Sequence, residues 1–138
     1  VEGGRCYRPF LLGGHMKTED IMNLDCRDER NKERLFKFIF QVKPAQKILR
    51  ERNCKTAKDV MTAPVDMFES VIFELFKYGY KINHIIPVIE NNKFAVWSCT
   101  ISDNNNSLIG FVYGLTIKEV LIKTVIRIYG DIKKKERK

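Results

Sequence analysis

The sequence contains two histidines, His15 and His84, and no G-x-S-x-G, H-E-x-x-H, G-x-x-x-x-G-K-[ST] or G-x-G-x-x-G motif. Hydrolase, zinc-protease, phosphate-loop and dinucleotide chemistries therefore lack their usual framework. His84 lies in a strand-like run beside apolar residues, a setting that fits a structural imidazole better than a base. Its four cysteines, Cys6, Cys26, Cys54 and Cys99, form no C-x-x-C pair, so structural zinc is not expected. Without a recognisable secretory leader they read as free thiols of a cytoplasmic protein, with Cys99 packed in a core. The longest apolar stretches, residues 35–42 and 108–115, are far short of the roughly 20 residues that cross a bilayer, which excludes a transmembrane helix.

Carboxylates give little more. Glu19, Asp20, Asp25, Asp28 and Glu29 cluster where helices begin, and helix N-termini attract acids for their own reasons. Glu90 and Lys93 echo the acid-then-lysine order of metal-dependent nucleases, but as E-x-x-K around Asn91-Asn92 they fit a turn better. The sequence thus assigns no catalytic residue, no metal ligand and no cofactor.

What is present is the composition of a folded domain: 138 residues, 44% hydrophobic and 30% charged, with a net charge of +8. One core fits this length. Residues 133–138, KKKERK, hold half of that excess as a basic C-terminal tail. Residues 1–15, with two Gly-Gly pairs and no periodicity, read as a leader or an added extension, leaving 16–138 as a single domain.

Along the chain, Thr18 with Glu19 and Asp20 predicts a short helix over 18–24. Asp25 is a candidate cap for a second helix, with Leu35, Phe38, Ile39 and Val42 on one stripe and Pro44 as its end. Phe36 and Phe40 add a second apolar side to that helix. Residues 45–63 are basic and show no clear period. Thr62 as cap and Pro64 in the first turn predict a helix whose face is Val65, Phe68, Ile72, Leu75 and Phe76, stopped by Gly79.

The period then changes from 3.6 to 2. Tyr80, Ile82, His84, Ile86 and Val88 form one face of a first strand, which Pro87 marks as an edge. Asn91-Asn92 predicts a tight hairpin into a second strand with Ala95, Trp97, Cys99 and Ile101 on one face. Asp103 to Ser107 turns into a third strand over 108–113. Thr116 and Glu119 match a capping box, with Leu115 and Val120 at staple spacing. The helix that follows is apolar around most of its circumference, leaving Glu119, Lys123, Arg127 and Lys134 as a polar stripe.

The expectation is an α+β fold: a three-stranded antiparallel sheet, with αβββα order over residues 64–134, packed with additional N-terminal helices. That order resembles the layout of double-stranded-RNA-binding domains. Their binding motifs are absent, because Glu90-Asn91-Asn92-Lys93 replaces a Gly-Pro-x-His type of loop and Thr116-Ile117-Lys118-Glu119 replaces a lysine cluster. Residues 16–31 (MKTEDIMNLDCRDERN), Trp97 and residues 109–126 (IGFVYGLTIKEVLIKTVI) are also similar to short uncharacterised phage and mobile-element proteins of gut bacteria, some of them α-β-α sandwiches. That resemblance implies a cytoplasmic accessory protein and hands over no active site.

The expected function is a non-catalytic binding or interaction module with a protein partner or a second copy of itself, the latter argued from the last helix and from Phe36 and Phe40. The alternative is weak, sequence-independent nucleic-acid binding through Lys123, Arg127, Lys133, Lys134 and Lys135, whose cations can displace counterions from phosphates.

Overall fold

The computed structural model describes residues 18–136; the residue 1–15 leader lies outside them. A short first helix, α1 (Thr18–Met22), leads to α2 (Glu29–Lys37). The cap of α2 is Asp28 rather than Asp25: the Asp28 carboxylate accepts from the Arg30 backbone N–H at 2.8 Å. Asp25 instead accepts from both the backbone and the guanidinium of Arg27. The expected continuation to Val42 fails after Lys37, where the chain tightens into 3-10 turns at Phe38–Gln41 and Lys43–Ala45. Val42 is extended between them, because Pro44, with no N–H and a ring that clashes with the carbonyl four residues back, does not let one helix run through.

The segment without a clear period forms two short helices, α3 (Gln46–Glu51) and α4 (Ala57–Thr62). A full capping box starts α4: the Thr56 hydroxyl accepts from the Asp59 N–H and the Asp59 carboxylate accepts from the Thr56 N–H. Thr62 does not cap the next helix. It ends α4, its hydroxyl donating to the Lys58 carbonyl, and Pro64 itself is the cap residue of α5 (Val65–Phe76). Proline forces Ala63 into an extended conformation, which separates the two helices and starts α5 two residues later than a Thr62 cap implies. The buried face of α5 is Met67, Phe68, Val71, Ile72 and Leu75, so Val65 and Phe76 fall outside it. Gly79 ends the turn after α5 at φ +94°, the left-handed conformation for which glycine is suited.

Three antiparallel strands follow, β1 (Tyr80–Glu90), β2 (Lys93–Asp103) and β3 (Leu108–Gly114), in the order β1-β2-β3. The hairpin residues Asn91 and Asn92 both have positive φ, as a primed turn requires. Asp103 organises the second turn, its carboxylate accepting from the Asn105 and Ser107 amides. The last helix, α6 (Ile117–Glu136), absorbs Lys133, Lys134 and Lys135 into its final turn instead of leaving them as a separate tail.

Among the described residues the fold is thus α+β, in three layers. The sheet packs its inner residues Ile101, Cys99 and Val112 against α6, α5 touches β1, and α1, α2 and the first 3-10 turn pack on α6. Val120, Ile122, Val125, Ile126 and Ile128 are fully buried on α6, each stabilising by about 1.5–3 kcal/mol relative to exposure. That burial explains the wide apolar circumference of α6: the helix lies between the sheet and the N-terminal helices. Phe36 is buried edge-on against Phe68, and Phe40 is half-buried. The apolar faces from which self-association is expected therefore cover one another within one chain.

Candidate interaction surface

Strand alternation in β1 does not run as its sequence implies. Ile82 pairs with Ile101 and His84 with Thr100, so Asn83 is an extra residue, a bulge. A single insertion turns every later side chain to the other face of the sheet. Tyr80, Ile82 and then Ile85 lie inside, while His84 and Ile86 lie outside. The Asn83 amide donates to the Ser102 hydroxyl at 2.7 Å, which holds the bulge. Further register shifts leave Ala95 and Ile109 unpaired as well.

The outer face has two complete cross-strand rows, His84–Thr100–Phe111 and Ile86–Ser98–Tyr113. Phe111, Tyr113 and Ile86 are each more than half exposed, and Leu108 is equally open one step along β3. The Phe111 and Tyr113 rings lie nearly parallel, 6.5 Å apart and 14° from coplanar. Aromatic rings along one strand beside an aliphatic side chain form an exposed apolar patch of a kind that marks binding surfaces on soluble proteins. The signal for it in the sequence is the F-x-Y pattern of residues 111–113. Its exposure depends on α6 packing on the other face.

Both edges of the sheet are blunted. On β1, Pro87 offers no N–H and the Asn83 bulge breaks the straight edge. On β3, Lys123 donates to the Tyr113 carbonyl at 3.2 Å, and Arg127 donates to the Ile109 carbonyl. Two of the five residues expected to meet phosphates are thus committed to the sheet. Lys123 is buried and also pairs with Glu119 at 3.0 Å. Arg127, half-buried, lies under Gly110 and pairs with Asp131.

The other three are exposed at the end of α6 but also locally engaged. Lys133 pairs with Glu136, and Lys135 pairs with Asp131 and lies over the Tyr80 ring; Lys134 is exposed too. Tyr80 donates to Asp131 at 2.5 Å, and burial, with this bond second, pushes its phenol above the usual range.

The remaining chemistry-bearing groups are dispersed. His84 is exposed on the outer face, and Glu90 and Lys93 are paired across the hairpin. Cys26 and Cys99 are buried and Cys54 is half-buried, all as free thiols; Cys6 lies outside the described residues. Desolvation, reinforced by the Glu119 carboxylate, pushes the Cys26 thiol up to about 11, the reverse of what a nucleophile needs. No three His, Cys, Asp or Glu side chains converge among the described residues. A shallow groove of about 400 Å³ beside Cys26, Tyr113, Gly114, Leu115 and Glu119 opens next to the sheet face. No helix among the described residues is long and apolar enough to cross a membrane. Comparison with protein-family models, with curated proteins and with solved structures found no match to this chain.

Proposed function

We propose that the chain is a non-catalytic interaction module that associates through the outer face of its sheet, with a second copy of itself as partner. The observation that carries this reading is the contrast within one sheet, whose edges are blunted by Pro87, Lys123 and Arg127 while its face exposes Ile86, Phe111 and Tyr113. A protein surface is favoured over nucleic acid there because Ser98 and Thr100 at the centre are neutral and Lys81 is held by Asn106. Two such faces pack about 10 Å apart in a sandwich. A twofold axis along β2 then sets Phe111 of one copy over His84 of the other, and Tyr113 over Ile86, burying all four.

Light scattering across the micromolar range tests this. The expected mass rises toward twice 16.2 kDa, returns to 16.2 kDa in an I86K/F111K variant, and is unaffected by F73K, an exposed change on α5. A mass of 16.2 kDa throughout, or dimers that persist in I86K/F111K, would overturn the proposal.

A further inference from the structure

A second concentration of positive charge lies away from the C-terminus. Residues 37–58 contain seven lysines and arginines against a single acid, Glu51. The segment folds as the last residue of α2, the two 3-10 turns, α3 and the start of α4, with Val42, Ala45 and Leu49 turned into the core. Its bases point the other way. Arg52 is held by Asp66, but Lys37, Lys43, Lys47, Arg50, Lys55 and Lys58 are all exposed and form no ion pair among the described residues. Helix α2, packed beside α4, brings two acids against three bases besides Lys37 and so does not cancel the field.

We propose that this layer is a phosphate-binding surface for duplex nucleic acid. Fixed, unpaired cations on short packed helices release counterions from a polyphosphate backbone without reading sequence. No large hydrophobic side chain is prominently exposed between residues 37 and 58. The layer therefore lacks the rings that stack unpaired bases and the apolar anchors that insert into a lipid surface. Its packing contacts run to α2, α5 and α6, which puts the helical core between it and the sheet. The two surfaces are independent, and one chain can hold a duplex on one side and a second copy on the other.

The test is fluorescence anisotropy with a 20-base-pair DNA duplex and the matching RNA duplex, at about 50 and 200 mM salt. If all six cations engage, affinity falls by about a thousandfold over that range. K47E/R50E, both on the exposed side of α3, is expected to lose at least tenfold at the lower salt, with an unchanged melting temperature. K133E/K134E is expected to lose less. Failure of the duplex to bind at 50 mM, unchanged affinity in K47E/R50E, tighter binding of a single strand of equal length, or binding to anionic vesicles without binding to duplex would each overturn the proposal. I86K/F111K should bind duplex normally, so failure of the dimer reading leaves this one standing and the reverse.

Discussion

Lys123 and Glu119 pair at 3.0 Å across one turn of α6, with both side chains more than nine-tenths buried. The Lys123 ammonium also donates to the Tyr113 carbonyl, so one residue joins the last helix to the open strand of the sheet. Burying two charges has a large desolvation penalty that only close pairing offsets, which makes the pair vulnerable to removal of either member. Glu119→Gln is expected to lower stability by about 3–5 kcal/mol. The double variant E119Q/K123M is expected to recover much of that loss, because no lone charge stays buried. Urea unfolding of the two variants decides it, and equal losses in the single and the double variant would show that the pair is not the unit.

Gly114 is a close approach rather than a turn. A Cβ placed there would lie 2.9 Å from the Val120 side chain and 3.1 Å from the Val120 backbone nitrogen. The backbone of α6 cannot give way cheaply, so Gly114→Ala is expected to cost about 1–3 kcal/mol. Thermal unfolding reads this directly as a lower Tm.

The Thr56–Asp59 box is what makes a helix of the six residues Ala57–Thr62. Thr56→Ala is expected to destabilise the protein by about 1 kcal/mol. Hydrogen exchange should show faster opening of α4 amides, and unchanged exchange would assign the helix to packing alone.

Two groups set opposite pH limits. Hydrogen bonds from the Arg27 side chain and backbone lower Asp25 from 3.8 to about 2, so its stabilising effect is complete above 3.8 and is lost as pH falls toward 2. Burial raises the Cys26 thiol from 9.0 to about 11; the folded state keeps the neutral thiol longer than the unfolded chain, and stability declines as pH rises from 9 to 11. Denaturation midpoints measured against pH should show the alkaline loss diminished in Cys26→Ser.

Much of the architecture is written locally. Gly79, the Asn91-Asn92 pair and Thr116 each mark a boundary through backbone chemistry that needs no distant contact: a positive φ, a primed turn, a hydroxyl that accepts from the Glu119 amide. Together with the change of period after residue 79, they determined the order helix, three strands, helix, and hence the antiparallel sheet. Steric effects between neighbours were less legible, as at Pro64, where the proline displaced the cap that Thr62 promised.

What only the tertiary structure decided is which side chains face outward. The Asn83 bulge is an insertion relative to a partner strand, and no one-strand pattern reports it; it moved His84 and Ile86 from the core to the surface. Lys123 and Arg127 look like free cations on a helix stripe, yet carbonyls of β3, more distant in sequence than any helix neighbour, claim both. The bases of residues 37–58 carry the same signature as those two. They stay in solvent because Val42, Ala45 and Leu49 occupy the inward positions of the same segment. Charge was determined by the sequence, and its accessibility by packing, because desolvation and pairing depend on what the rest of the chain brings alongside.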